Sequence, residues 1–399
     1  MAKQGVNEEI SDSELLEVDL EAFTAESLDV GNSQSSSMQG CSLGRNDTGS
    51  EGDIGSGNVV SLDGSVEASC STQKPLLCGS SDLMVPLKRK RNVANKNPMQ
   101  HFHLRHLRVT DVSHQSWCEL QVVHGFEKPD VRKTINDDPV VLAGSSVHLA
   151  RELEEHDVVS VSTESREDHW AVKFLNVLTG LTMLKESGRV RELPVFGQVE
   201  GIFLVGVIDE LHYSPKGELT LSELKTRLRK SLPTAAQRRT HDLQAGIYKL
   251  LFDRMVQGKL ESETFVQRLQ LRLDKQLAPG VCDHAQAVGF HVCTFSDALE
   301  LLLLNLTHMD TPNIDNLKIE YVHQSTGAPL GIKEVQFSEP RLLAELHYLL
   351  SYWTGQREPQ GVDIEDSWKC GWCVFTEHCE WRKASVKNTE QSVWNKRRR

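Results

Sequence analysis

An acid met at the end of a long apolar run constrains this chain more than any other feature. Phe203-Leu-Val-Gly-Val-Ile208 is rich in β-branched residues, reads as part of a strand over Phe203–Tyr213, and leads straight into Asp209-Glu210. A carboxylate in such surroundings is costly unless it is paired or binds a metal. Pro215-Lys216-Gly217 then reads as a hairpin turn, and Leu219–Thr226 as a second strand carrying Glu223 and Lys225. Residues two apart on a strand share a face, so Glu223 and Lys225 project together while Leu224 points to the core. Two carboxylates and the Leu224 backbone carbonyl are hard oxygen donors that suit magnesium or manganese, and Lys225 can orient a water beside them. An acid-x-lysine pair alone is equally an exposed salt bridge on a strand; its place after the Asp209 strand is what points to chemistry.

Around this hairpin the pattern is that of an α/β domain. Val195–Gly201 reads as a preceding strand, and helical periodicity covers 145–156, 164–186, 234–257, 296–308 and 339–355. Trp170, Phe174, Leu178 and Leu181 form a core stripe on the second helix; Leu243, Ile247, Leu250, Leu251 and Met255 form one on the third. Further strands are expected at 317–323 and 332–337. Helices, consecutive strands and more helices predict a sheet sandwiched between helical layers.

The net charge of −12 would argue against a nucleic-acid partner if it were spread evenly. Residues 1–80 hold 3 basic and 14 acidic residues, and the remainder 41 and 42, so the acidity belongs to the tail. Residues 1–95 read as a disordered acidic tail, rich in Ser, Gly, Asp and Asn, with Ile10–Phe23 as a candidate partner-binding helix. Lys88-Arg89-Lys90-Arg91 closes it, a nuclear-import signal or a plain basic linker, and a second basic run ends the tail 386–399. No apolar run reaches membrane-spanning length and no secretory signal opens the chain, so a soluble protein of a reducing compartment is expected. Arg227, Arg229, Lys230, Arg238 and Arg239 flank the Glu-x-Lys strand and open the next helix; they are candidate DNA phosphate contacts or a solvated basic surface.

Of nine cysteines, Cys41, Cys70, Cys78, Cys282 and Cys293 show no ligand spacing. Cys370, Cys373 and Cys379 give C-x2-C-x5-C, which converges thiolates on one metal or cluster. A fourth thiolate is still needed, and Cys118 in Ser116-Trp-Cys-Glu119 is the best candidate. Spacing does not separate zinc from iron–sulfur, since four cysteines serve both. Trp117, Trp372 and Trp381 lie near these cysteines in sequence, as packing for the cluster or as base-stacking groups.

His148 on its helix, Asp209, Glu223-x-Lys225 and Gln244-x3-Tyr248, in that order, resemble the RecB-like branch of the PD-(D/E)XK nucleases. With one cysteine before the core and three after it, residues 95–385 resemble the exonuclease V family. The resemblance implies a PD-(D/E)XK core, a mixed sheet flanked by helices, over 96–385. It implies His148, Asp209 and Glu223 as metal ligands, Lys225 as catalytic, and Gln244 and Tyr248 as shaping the site. It also implies a [4Fe–4S] cluster on Cys118, Cys370, Cys373 and Cys379 that staples the chain ends, closing a loop of about 250 residues. The activity implied is Mg2+-dependent (or Mn2+-dependent) exonucleolytic hydrolysis of single-stranded DNA to short oligonucleotides, in nuclear DNA repair with some cytoplasmic protein. A monomer is expected, with a single-strand-binding protein or repair factor as a partner of the acidic tail. Two other readings stand beside it: a zinc-stapled endonuclease, and a single-stranded-DNA-binding protein without catalysis.

Overall fold

The computed structural model describes residues 97–155 and 159–384. The acidic tail, its Ile10–Phe23 segment and the basic runs at 88–91 and 396–399 lie outside the described residues. The core is a mixed sheet of six strands: β1 Leu107–Arg108, β2 Arg189–Val199, β3 Ile202–Tyr213, β4 Leu219–Arg227, β5 Asn316–His323 and β6 Pro329–Val335. The helices flanking it among the described residues include α1 Val109–Glu127, α2 Pro129–Asn136, α3 Pro139–Glu152, α4 Arg166–Ser187, α5 Ala235–Val256, α6 Ser262–Leu269, α7 Pro279–Ala287, α8 Phe295–His308 and α9 Glu339–Trp353. This is the α/β arrangement expected of a PD-(D/E)XK core.

Strand β3 organises the sheet. Along one edge it pairs antiparallel with β2 over nearly its whole length. Its other edge is shared: β1 runs parallel to it at Leu204 and Val205, and β4 antiparallel to it from Glu210 to Tyr213. Between those two partners no strand among the described residues pairs with the edge at Gly206–Asp209, and β4 diverges there to pair with β5. The gap is where the site forms. Asp209 thus lies inside β3, which continues to Tyr213 as the apolar residue Leu211 remains buried beyond the two acids.

The helical stripes read from the sequence are core. Trp170, Phe174, Leu178 and Leu181 of α4 are buried, and Trp170 meets Phe196, Phe203 and Phe265 edge to face. Each such aromatic side chain contributes about 1.5–3 kcal/mol on burial. A capping box of Ser165 and Asp168 starts α4, and Gly188 in the left-handed region ends it. Thr234 and Gln237 form the same box at the start of α5, which fixes where its Gln244 and Tyr248 fall. Two features were not visible as periodicity. β2 begins at Arg189, well before Val195, because its first half is charged. α1 is broken at Cys118, whose backbone is extended at φ −160° and ψ 113°.

Candidate functional site

Asp209 and Glu223 face each other across the gap where β3 and β4 part. The Leu224 backbone N–H donates to Asp209 Oδ2 at 2.7 Å, a bond the diverging strand would otherwise make to β3. The carbonyl of a strand residue points to the same side as its N–H, so Leu224 C=O turns toward this gap as well. Lys225 Nζ lies 3.2 Å from Glu223 Oε1, and both side chains are almost wholly buried. Gln244 Nε2 donates to the same Oε1 at 2.8 Å and to the Tyr248 hydroxyl at 3.1 Å. Glu223 Oε2 is buried without a hydrogen-bond donor, which suits a site that takes a cation. His148 Nδ1 stands 3.6 Å from Asp209 Oδ1.

Three local packing choices hold these groups. Gly206 lets the Tyr248 ring lie flat on β3: a Cβ there would fall 2.4 Å from Tyr248 Cε1. Gly144 lets α3 approach β4, since its Cβ would meet Thr226 Oγ1 at 3.1 Å. Arg151 then pairs with Glu320 through two bonds of 2.8 and 3.0 Å, locking the face of α3 that carries His148. His148, Asp209, Glu223 and Leu224 line one open pocket with about 290 Å3 of free space, and Lys225, Gln244 and Tyr248 join it through Glu223.

The electrostatics favour a cation. Burial pushes the Asp209 carboxyl up to about 6, against the opposing pull of Lys225 and the Leu224 N–H. The carboxylates lining the pocket (Glu192, Asp209, Glu210, Glu223 and Glu320) outnumber its guanidiniums, Arg151 and Arg191, so a phosphodiester entering it is repelled unless a further cation stands between them. Oxygen donors of this kind suit a hard divalent ion, and the imidazole nitrogen of His148 suits manganese better than magnesium.

The sequence reading missed three groups here. Glu192 lines the pocket, and a carboxylate oxygen of it lies with a ring nitrogen of His148 and a carboxylate oxygen of Asp209, all within 4.8 Å of one another. Its signal, an acid in the charged run Arg189-Val-Arg-Glu192, is hidden until β2 is paired with β3. His114 of α1 and His241 of α5 stand near Lys225. Burial and the lysine's charge lower both, His114 to about 4, so both imidazoles are neutral at pH 7. Among the expected DNA contacts, Arg227 is buried and donates to the Ser231 carbonyl at 2.7 Å. Arg238 is half-buried and bonds the Pro233 carbonyl at 3.0 Å, whereas Arg229, Lys230 and Arg239 are exposed. Arg239 also reaches Glu345 at 3.0 Å.

The four cysteines meet in a second cavity. Cys118, Cys370, Cys373 and Cys379 line it together with Trp117, His124 and Trp381, around about 410 Å3 of free space that includes its open mouth. Cys118 sits at the break in α1 and caps the second half of that helix, with the Gln121 N–H donating to its sulfur. Burial pushes its thiol up to about 12, with the other three cysteines adding to the rise. A bound cation is therefore needed to hold Cys118 as a thiolate. Among the described residues, no three of these sulfurs come within 4.8 Å of one another. Trp117 is buried beneath the edge of Trp368, and Trp381 packs on Gly361, while Trp372 is exposed.

Protein groups brace the same junction. Glu119, next to Cys118, takes a two-pronged bond from Arg357 at 2.6 and 2.5 Å and a third from the Gln360 N–H at 2.6 Å. On the other side of Cys118, the Trp117 carbonyl accepts from the buried Lys369 ammonium at 3.2 Å, directly before Cys370.

The pattern of the family described as "Exonuclease V - a 5′ deoxyribonuclease" matches residues 97–219, 213–300 and 291–382. A relative from Danio rerio named "Exonuclease V" is 46% identical over 308 residues, 77% of this chain and 78% of its own length. A solved structure of SSO0001 aligns at 13% identity and a TM-score of 0.35, over 70% of this chain and 87% of that one.

Proposed function

This chain belongs to the exonuclease V family and is a DNA exonuclease, and from that premise we propose that it degrades single-stranded DNA from an end, with magnesium or manganese, releasing short oligonucleotides. The observation that carries the reading is the convergence of Asp209, Glu223 and Lys225 at the gap in the β3 edge. In this reading His148, Asp209 and Glu223, with the Leu224 carbonyl, hold the metal. Bound magnesium lowers the pKa of water and offsets charge on the phosphate oxygens during displacement. Lys225, whose ammonium is held by Glu223, donates toward the attacking oxygen and steadies its charge. Gln244 keeps Glu223 Oε1 oriented, and Tyr248 in turn holds Gln244. Arg229, Lys230 and Arg239 are exposed and suit phosphate contacts; Arg227 and Arg238 bond the loop that carries Arg229 and Lys230.

The cysteine cavity suits a [4Fe–4S] cluster with a structural role. Its support is that Cys118, Cys370, Cys373 and Cys379 line one cavity, in the order one before the core and three after it that the family resemblance implies. A site in nuclear DNA repair, with some cytoplasmic protein, and a repair or single-strand-binding partner for the acidic tail, complete the proposal. The test is a time course on end-labelled and on circular single strands with magnesium or EDTA, beside the visible spectrum of the purified protein. Magnesium-dependent loss of the linear substrate alone is expected; cutting of circles would overturn end-dependence. A colourless protein carrying zinc would overturn the cluster.

A further inference from the structure

We propose that Trp368 is a stacking platform for one base of the single strand and that Arg239 holds a phosphate beside it, so that the pair helps select unpaired DNA. The inference rests on the single-strand reading above and adds to it a substrate contact outside the carboxylate pocket.

Trp368 lies on the short 3-10 helix Ile364–Gly371 and leaves 45% of its surface exposed. The ring is nonetheless fixed. Its Nε1 donates to Asp366 Oδ1 at 3.3 Å, and it meets the buried Trp117 edge to face, with ring centres 5.5 Å apart and planes at 86°. An aromatic ring held in place and still open to solvent is preorganised to stack, because little side-chain freedom is lost when a base lands on it. The Asp366 carboxylate that pins it is matched by Lys369 Nζ at 2.9 Å, which offsets its repulsion of a nearby phosphate.

A chain of contacts joins this ring to the reacting centre. Gln244 holds Glu223, and Thr240, one turn earlier on α5, meets Ser116 Oγ of α1 at 3.1 Å. Ser116 precedes Trp117, against which Trp368 rests. Arg239 precedes Thr240, with its side chain 68% exposed, and lies about 7.5 Å along the α5 axis from Gln244. The bond from Lys369, with the charges of Lys369 and Arg239, holds the Asp366 carboxyl below its usual value, so the Arg239 guanidinium stands near the residue that pins Trp368. A guanidinium near an open indole matches a single strand: the cation takes the backbone and the ring takes a base. Bases in a duplex already cover one another's faces, so only an unpaired strand can present one to Trp368.

The test is the affinity for a fluorescent, phosphorothioate-linked oligothymidylate that resists cleavage, read by anisotropy on the purified full chain, with one abasic residue moved along the strand. In the wild type, one position is expected at which loss of the base weakens binding roughly 5- to 150-fold. Trp368→Ala should bind the intact strand more weakly by a similar factor and show no penalty at that position, whereas Trp368→Phe keeps it. Trp368→Leu retains an apolar contact with Trp117 but has no ring face, so it carries the test should the alanine variant fold poorly. Arg239→Gln should weaken binding and flatten its dependence on salt. An even abasic profile in the wild type, or a penalty that survives in Trp368→Leu, would overturn the stacking site while single-strand binding stands. Unchanged salt dependence in Arg239→Gln would overturn the phosphate contact, and a wild type that binds no strand would overturn the single-strand reading itself.

Discussion

Gly206→Ala changes the enzyme by a single methyl group, at a point where the geometry gives the consequence. The new Cβ would sit 2.4 Å from Tyr248 Cε1, 3.2 Å from Cδ1 and 2.9 Å from Val109 Cγ2. Carbon atoms settle at about 3.5–4.0 Å, so the Tyr248 ring has to retreat by roughly 1 Å or more. Tyr248 is fully buried, so the retreat forces either its neighbours or β3 to move, at about 1–3 kcal/mol. The hydroxyl goes with the ring. It accepts from Gln244 Nε2, which also holds Glu223 Oε1 beside Lys225, so the shift propagates by two hydrogen bonds to the reacting centre. A misplacement of about 1 Å there lowers the rate by roughly 100-fold. Steady-state cleavage of an end-labelled single strand, paired with a thermal melt, gives both numbers. A double variant, Gly206→Ala with Tyr248→Leu, restores space without the hydroxyl, and should recover much of the melting temperature but little of the rate. A folded Gly206→Ala enzyme with kcat/KM within twofold of wild type would refute the argument, because Tyr248 would then not be positioning Gln244.

Asp209→Ala and Lys225→Ala should each abolish cleavage while DNA binding and colour persist, checked by gel shift and visible absorbance; activity in either means that the chemistry lies elsewhere. Cys373→Ala should lose absorbance near 400 nm (roughly where thiolate-to-iron charge transfer falls) and lower the soluble yield. Glu119→Ala leaves the Arg357 guanidinium without its carboxylate beside Cys118, a change worth about 3–5 kcal/mol in a buried pair, measured by urea unfolding with the cluster retained at the start. His114 is lowered to about 4 by burial and by the charge of Lys225, so its neutral form is the one that the fold holds. Its contribution to stability is complete above about pH 6.5, the unfolded value, and is lost as pH falls toward 4. The drop in melting temperature between pH 7 and pH 5 should therefore shrink in His114→Gln, and an unchanged drop would contradict the assignment.

Much of the site was legible because its residues are close in sequence or periodic. Glu223 and Lys225 follow from strand alternation, Gln244 and Tyr248 from one helical turn, and Cys370, Cys373 and Cys379 from their spacing; local geometry alone brings each set together. The apolar stripe of α4 was equally plain, since a helix must bury one face. What the chain could not announce was the meeting of distant segments. Glu192 becomes a candidate ligand only when β2 registers against β3, and a one-residue slip would have sent its side chain to the other face. The break of α1 at Cys118 follows from no helix-breaking residue; it accompanies a thiol that caps a half-helix and faces cysteines some 250 residues away. Arg227 read as a basic contact and is a buried brace, because exposure is decided by the loop folded over it. Periodicity and spacing determine which groups can act together on one element. Only the packing of elements, here the unpaired edge of β3 between β1 and β4, decides which elements converge.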